Sequence, residues 1–294
     1  MVKNSLLFIL LGLIIFSPMS ASADGKVIFE MEDPVGDSHG TGAFTHPTAE
    51  VYGDRVQEQL DLTYFKVIDQ KDNVQFRLEF ALEPDAVNPW EGEGFNFHRI
   101  DIYLVTEPGV TGATETFRRG ANVEFEVPWN KLIKIKDFNK SKVYDVREDP
   151  DDLDAGRQIE VFVDGKEIVA NVPKNYIGEI DKSSMFYVLV GHYSSLDSDG
   201  FLQIKEEAGK WHGGGGDPEG KYNPNVYDIL AESKEEQYAQ LQWEEESVAV
   251  LKPVGGKQRG SFMKNILIVA GIVIIAGVAL LVVKNKREII SRRF

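Results

Sequence analysis

Short runs in which apolar and polar residues alternate recur along the chain between residues 26 and 193. Eight of them are KVIFEMED, DLTYFKVID, NVQFRLEFAL, RIDIYLVTE, NVEFEV, RQIEVFVDG, EIVANVP and MFYVLVGHY. A period of two residues is typical of β-strands, because successive side chains of a strand point to opposite faces. The stretch DQKDN and the pair Asp164-Gly165 separate neighbouring runs and indicate hairpin turns. Many short strands with closely spaced turns predict an all-β domain, either a β-sandwich or a barrel.

A helical pattern is clear only in SKEEQYAQL, where Ser233 and Glu236 have the spacing of a capping box. The stretch PVGGKQRG, which begins at Pro253, is typical of a short linker. We therefore expect a single β-domain over residues 24–252, followed by a linker over residues 253–262.

The first 23 residues have the organisation of a secretory signal peptide. Lys3 precedes an apolar run from Leu6 to Phe16, and small residues end at Ala21-Ser22-Ala23. A positive residue, an apolar core and an A-x-A site in this order predict export, with cleavage after Ala23.

A second apolar segment lies near the C-terminus. Ile266–Val283 contains 18 residues without a charge or a proline. As a helix this segment would rise about 27 Å, close to the roughly 30 Å of the hydrocarbon core. The tail KNKREIISRRF behind it is rich in Lys and Arg, which marks the cytoplasmic side. We expect a transmembrane helix over residues 263–283, a basic cytoplasmic tail over residues 284–294, and a type I, single-pass protein of the cell membrane whose bulk is extracytoplasmic.

The charge of the chain limits its partners. The formal net charge is −15; Lys3 contributes one positive charge and residues 261–294 contribute five, so residues 24–260 carry −21. An exterior this acidic repels phosphate backbones, which argues against nucleic acid as a partner, and it suits divalent cations or neutral glycans. The chain has no cysteine, which excludes zinc–thiolate sites, thiol nucleophiles and covalently attached c-type haem.

The stretch WHGGGGDPEGKY contains fragments of two catalytic motifs. HGGGG resembles the oxyanion loop of lipases, but no G-x-S-x-G nucleophile motif follows it. The spacing from Gly215 to Lys221 resembles a phosphate-binding loop, but Tyr222 stands where a Ser or Thr should bind magnesium. The five histidines have no metal-ligand spacing. We therefore expect a protein that is not an enzyme.

Five segments, taken in order, resemble a known family. They are DPVGDSHGTGAFTHPT, LDLTYFKV, NPWEGEGFNFHRIDIYL, FYVLVGHYSSLDSDGF and HGGGGDPEGKYNPNVYDIL. Over about residues 29–251 they resemble the DOMON-like C-terminal domain of glucodextranases, which is similar to family 9 carbohydrate-binding modules. The resemblance implies a β-sandwich of immunoglobulin or jelly-roll type that binds a glycan, such as α-glucan, without catalysis. It also implies that the glycine-rich stretch is a structural loop.

Domains of this family usually accompany a glycosidase, whereas here we expect the domain to stand without a catalytic domain. We therefore expect a membrane-anchored module that holds glycan, or a surface-layer or hydrolase partner, near the membrane. One alternative is a structural protein of the cell envelope that binds no sugar. Another is an electron carrier that holds haem b through Met185, His192 or His98. Met185 and His192 are seven positions apart, which places them on opposite faces of a regular strand and argues against a shared pocket.

Flat aromatic rings are the expected sugar-binding groups, because they stack on the C–H faces of sugars. The candidates are Trp90, Phe95, Trp129, Tyr193 and Trp211. Each of these residues could instead pack in the core, but we expect at least one exposed platform among the five.

Two acidic loops are candidate sites for a structural calcium ion. Asp33 and Asp37 lie in DPVGD, and Asp197 and Asp199 lie in SSLDSDG. Calcium prefers several carboxylate and carbonyl oxygens, which such loops supply. The resemblance adds that related carbohydrate-binding modules hold structural calcium. The alternative is that these aspartates accept hydrogen bonds from nearby backbone N–H groups in turns.

Overall fold

The alternating runs form the strands of three stacked β-sheets. The computed structural model describes residues 25–256, except 91, 93, 107–111, 119, 138, 153 and 195–199. The expected signal peptide and the expected transmembrane helix over 263–283 lie outside these residues. Among the residues described, no helix is both long enough and apolar enough to span a membrane.

Each of the eight alternating runs contains a strand. Within the described ranges the strands are β1 Lys26–Glu32, β2 Leu62–Asp69, β3 Asn73–Phe80, β4 His98–Val105, β5 Ala113–Glu115, β6 Val123–Trp129, β7 Lys131–Ile135, β8 Lys142–Asp145, β9 Arg157–Gln158, β10 Glu160–Asp164, β11 Glu167–Pro173, β12 Met185–His192, β13 Asp228–Ile229, β14 Ala249–Leu251 and β15 Val254–Gly255. The helices are α1 Val56–Leu60, α2 Lys174–Ile177 and α3 Lys234–Gln240, and Glu50–Tyr52 forms a 3-10 turn.

The central sheet lies between the other two. A five-stranded sheet has the order β1-β2-β3-β11-β10. The central sheet has the order β13-β12-β4-β7-β8-β9, with β15 also paired to β12. The third sheet is the three-stranded β14-β6-β5, in which β14 pairs with β6 in parallel.

Both faces of the central sheet are buried, and every residue of β4 is buried. Ile100 and Ile102 belong to the core between the central and five-stranded sheets. Tyr103 and Val105, at the alternate positions, belong to the core beneath the three-stranded sheet. The prediction of an all-β sandwich is therefore confirmed, and the structure adds a third layer that was not predicted.

The predicted turns and the helix cap are confirmed. Gln70 N donates to Asn73 O at 2.9 Å and closes the turn between β2 and β3. β10 and β11 are joined by a two-residue turn that contains Gly165, whose φ is 62°. At the start of α3, Ser233 Oγ accepts a hydrogen bond from Glu236 N at 3.2 Å.

The glycine-rich stretch is a structural loop, as the resemblance implies. Gly214 and Thr45 exchange two backbone hydrogen bonds, at 2.9 and 3.0 Å, so the loop lies directly on another backbone segment. A Cβ atom on Gly213 would collide with the hydroxyl of Tyr227. Only glycine allows the backbone to approach its neighbours this closely.

Candidate functional site

Four aromatic rings form a continuous row at one end of the central sheet. Trp90 and Trp211 are exposed, with 46% and 52% of their surface accessible. Between them lie two buried rings, Phe97 and Tyr52. The ring centroids are 5.4 Å apart for Trp90 and Phe97, 4.7 Å for Phe97 and Tyr52, and 6.0 Å for Tyr52 and Trp211. We call these four residues the aromatic edge.

Three loops bring these rings together where β4 begins and β12 ends. Tyr52 ends the 3-10 turn before α1. Trp90 lies in the connection between β3 and β4. Trp211 lies in a turn that is closed by a hydrogen bond from Gly209 N to His212 O at 3.0 Å. The exposed rings therefore rest on buried ones and do not project alone into solvent.

The other three candidate aromatic residues are placed differently. Phe95 is fully buried in the core. Trp129 is 1% exposed and its Nε1 donates to Glu115 O at 2.8 Å. Neither residue presents a ring face to a dissolved ligand, so the structure corrects their assignment: they pack in the core. Tyr193 is half-buried, and its backbone N donates to Phe97 O at 2.7 Å, next to the aromatic edge.

The buried His192 and the half-buried His46 lie beneath the aromatic edge, and we call them the histidine pair. The ring of His192 is 5.1 Å from that of Tyr52. His192 Nε2 lies 3.1 Å from His46 Nδ1, and His46 Nε2 lies 3.1 Å from Ser38 O. A proton on His46 Nε2 is donated to the carbonyl, and Nδ1 then accepts from His192. The histidine pair thus connects the aromatic edge to the loop that follows β1.

Burial keeps the histidine pair neutral. It lowers the pKa of His46 to about 3, and it lowers the pKa of His192 well below its ordinary value. Tyr227 stacks on His46, with ring centroids 4.3 Å apart and an interplanar angle of 16°. His46 was not a candidate from the sequence, and His192 was considered there only as a haem ligand, because no spacing along the chain connects the two histidines.

Three buried aspartates meet near the same end of the molecule. One carboxylate oxygen from each of Asp33, Asp37 and Asp228 lies within 4.8 Å of the others. All three residues are buried, the first at 5% exposure and the others at 0%. They come from the end of β1, from the loop after it, and from β13. We call them the carboxylate cluster.

Only part of the hydrogen-bonding capacity of this cluster is used. Asp33 Oδ1 accepts from Ala231 N and Asp228 Oδ2 accepts from Leu62 N, each at 2.8 Å. Asp33 Oδ2, Asp228 Oδ1 and both carboxylate oxygens of Asp37 have no hydrogen-bond partner among the residues that the structure describes. Buried polar atoms without a partner are costly, so a group that satisfies these four oxygens would stabilise the fold.

A fourth carboxylate holds the loop of the cluster in place. Asp61 accepts hydrogen bonds from Gly36 N at 2.9 and 2.8 Å and from Asp37 N at 3.2 Å. Lys234 Nζ donates to Gly36 O at 2.6 Å. Both oxygens of Asp61 are therefore engaged with the backbone, and this residue positions the cluster.

The electrostatics of the cluster oppose three separate negative charges. Burial, with repulsion from Asp37 and Asp61, raises the pKa of Asp33 to about 9. Burial, with repulsion from Asp61, raises the pKa of Asp37 to about 7. Burial and the other carboxylates raise the pKa of Asp228 well above its ordinary value. Near neutral pH the cluster must hold protons or a cation.

The donor set fits a hard cation, because it consists of carboxylate oxygens with free lone pairs. Asp33 and Asp37 are two of the residues predicted for this purpose. Asp228 was not predicted, since it lies far along the chain in a two-residue strand. Asp197 and Asp199, the second predicted pair, lie outside the described residues.

The residues considered for haem do not converge. Met185 and His192 lie at opposite ends of β12, where they pair with Val105 and His98 of β4. The two histidines are therefore neighbours, whereas the methionine is a full strand away. The described structure builds no Met–His pair.

Comparison with known proteins identifies one family. Residues 28–253 match the family model described as the C-terminal binding-module, SLH-like, of glucodextranase. This match covers well over half of the chain. A search of curated proteins finds no significant match.

Proposed function

Because the chain belongs to the family of C-terminal, SLH-like binding modules of glucodextranase, we propose that it is a non-catalytic module that binds glycan at the aromatic edge. The observation that carries this proposal is the pair of exposed tryptophans, Trp90 and Trp211, on a shared buried support. Of the five aromatic candidates, these two have the exposed rings that stacking on a sugar requires.

The support beneath the rings favours binding. A side chain already held by its neighbours loses little rotational freedom when a ligand arrives, so less of the interaction free energy is spent on ordering. Phe97 and Tyr52 contact the exposed rings from the core side. A neutral glycan also avoids the repulsion that the acidic exterior would exert on an anionic ligand.

We propose that the module works at the outer surface of the cell membrane. The support is in the sequence: the pattern of a signal peptide, the apolar segment Ile266–Val283 and the basic tail behind it. In that position many anchored copies would face the same polymer. Weak individual contacts would then add to a higher overall affinity, because later contacts form at high effective concentration. Surface display also suits α-glucan, another surface glycan, or a surface-layer or hydrolase partner.

Glycan binding by the full chain, purified in mild detergent, tests the proposal. The panel would contain soluble α- and β-glucans, and binding would be measured by calorimetry in buffer that contains calcium. We expect Trp90→Ala and Trp211→Ala each to weaken binding by about 2 kcal/mol, roughly 30-fold in Kd, because a supported aromatic anchor is lost.

A matched control is Phe162→Ala. Phe162 is also an exposed aromatic residue, but it lies on β10 of the five-stranded sheet. We expect this variant to bind like the wild type. Absence of binding to every glycan by a folded protein would contradict the proposal and favour a structural role in the cell envelope. An absorption band in the Soret region of the purified protein would favour the haem carrier instead.

A further inference from the structure

Two short routes connect the carboxylate cluster to the histidine pair. Asp37 is followed directly by Ser38, whose carbonyl oxygen lies 3.1 Å from His46 Nε2. Asp228 is preceded directly by Tyr227, whose ring stacks on His46 at 4.3 Å. The chain neighbours of two members of the cluster therefore contact the same histidine from two different segments of the chain.

From the histidine pair the contacts continue to the surface. His46 Nδ1 lies 3.1 Å from His192 Nε2. The ring of His192 lies 5.1 Å from Tyr52, and Tyr52 contacts Trp211 at 6.0 Å. Each step is a direct hydrogen bond or ring contact; His192 and Tyr52 are buried, His46 is half-buried, and the last step ends on the exposed ring of Trp211.

We propose that the carboxylate cluster binds one calcium ion, and that this ion holds the aromatic edge in place through the histidine pair. The unpartnered oxygens carry the first part of this inference. Four carboxylate oxygens of the cluster are buried and have no hydrogen-bond partner among the described residues. One oxygen from each of the three carboxylates lies within 4.8 Å of the others, so three negative charges there would repel one another. A divalent cation removes the repulsion and satisfies the oxygens together.

The donor atoms favour calcium over other divalent cations. All of them are carboxylate oxygens, whereas zinc and copper prefer nitrogen and sulfur ligands. Magnesium keeps several waters in a strict octahedron, whereas calcium accepts irregular sets of protein oxygens. Side chains with 0 to 5% exposure leave little room for a hydrated ion.

The contacts from the carboxylate cluster to the aromatic edge support the second part of the proposal, that the ion holds the edge in place. The ion would join the end of β1, the loop after it and β13. When the ion leaves, the carboxylates separate, and the segments that carry Ser38 and Tyr227 move with them. His46 then loses the contacts that place it beneath the edge. If the proposed function holds, glycan and calcium must therefore raise each other's affinity by the same factor. The ion and its effect on the edge do not depend on that function.

The test uses the full chain in mild detergent, labelled with 5-fluorotryptophan and freed of metal with EDTA. The chain contains four tryptophans, and Trp90→Phe and Trp211→Phe variants assign the two edge signals in the fluorine NMR spectrum. Calcium chloride alone is the titrant. We expect binding by calorimetry at one ion per chain, and shifts of the Trp90 and Trp211 signals that saturate with the same Kd. Trp243, beside the turn that pairs Glu244 with Ser247, serves as the internal reference.

Three variants separate the parts of the proposal. Asp228→Asn should weaken calcium binding at least 30-fold and abolish the shifts at matched concentration. Asp72→Asn, at an exposed turn position, is the matched control and should behave like the wild type. His46→Phe keeps a ring against Tyr227 but removes both hydrogen bonds. It should still bind calcium, with edge shifts reduced to less than half.

The wild-type titration decides the outcome even if Asp228→Asn does not fold. No calcium binding at millimolar concentration would overturn the site. Binding without a shift of either edge signal would overturn the connection to the edge. Failure of the calcium-loaded protein to bind any glycan would instead overturn the proposed function, since neither readout here uses a glycan.

Discussion

Buried charges are treated differently in two regions of the molecule. On the face of the central sheet toward the three-stranded sheet, Arg99 and Asp101 form an ion pair at 2.9 Å, and both side chains are fully buried. Nearby, Lys134 Nζ lies 5.5 and 5.4 Å from the rings of Phe117 and Tyr144. In that region the two opposite charges are paired, and the lysine ammonium group lies near aromatic rings. The carboxylate cluster contains charges of one sign only.

This difference separates a region whose buried charges are neutralised within the chain from one whose buried charges depend on protons or ions from solution. An ion pair whose two charges both belong to the chain does not depend on ions from solution for its neutralisation. Like charges cannot satisfy one another, so their stability depends on protons or on a cation from solution. The end of the molecule that carries the aromatic edge should therefore respond to ions, and the opposite face of the central sheet should not.

The largest effect on stability is expected from breaking the ion pair between Arg99 and Asp101. Arg99→Met leaves Asp101 buried without its partner, and removal of one member of a buried pair typically costs about 3–5 kcal/mol. Urea unfolding would measure the loss, and calcium should not restore it. The double variant Arg99→Met, Asp101→Leu is the control and should recover much of the stability. A loss below about 1 kcal/mol in the single variant would show that the pair contributes little.

A second prediction concerns acid. Burial lowers the pKa of His98 to about 4, against about 6.5 in an unfolded chain. The fold therefore favours the neutral ring. This contribution is fully present above about pH 6.5 and is lost as the pH falls through about 4, up to about 3 kcal/mol in total.

The comparison of wild type with His98→Gln isolates that contribution. Glutamine can still donate to Gln59 O, which lies 2.7 Å from His98 Nε2. Urea unfolding at several pH values between 7.5 and 4.5, with calcium constant, should show a steeper loss for the wild type. Parallel curves for the two proteins would mean that His98 is protonated in the fold without penalty.

A smaller effect is expected from calcium on stability. At a free concentration of 100 times its Kd, a ligand that binds only the folded state stabilises it by about 2.7 kcal/mol. For a domain of this size that corresponds to an increase of roughly 5–10 °C in Tm. Differential scanning fluorimetry in calcium and in EDTA would measure it. Asp228→Asn should lose the increase and Arg99→Met should keep it, and equal increases in both variants would place the ion elsewhere.

Much of the sheet structure could be predicted from local pattern. All eight alternating runs contain strands, because the two-residue period follows from the geometry of an extended chain. The turn at Gly165 and the cap at Ser233 were predictable for the same reason, since each depends on neighbouring residues. The strand Lys131–Ile135 was not predicted, and Lys134 within it is buried with its ammonium group near the ring of Phe117.

The candidate site was predictable only in part. The pattern DPVGD indicated Asp33 and Asp37 as candidate metal ligands, but nothing along the chain connects them to Asp228. The aromatic candidates had similar contexts in sequence, yet Trp129 is buried and Trp211 is half exposed. Exposure depends on which sheet covers a residue, and that cover comes from distant segments.

The sequence by itself determined the eight alternating runs that contain strands, the predicted turns, the acidic exterior and the family, because each depends on local spacing, composition or motif. Tertiary structure alone decided which charges are neutralised and which are not. It covered Arg99 and Asp101, which lie two residues apart on one face of β4, with a third sheet. It also brought three aspartates from separate segments within 4.8 Å. Such contacts depend on long-range packing, in which residues distant along the chain become neighbours, and no local pattern encodes them.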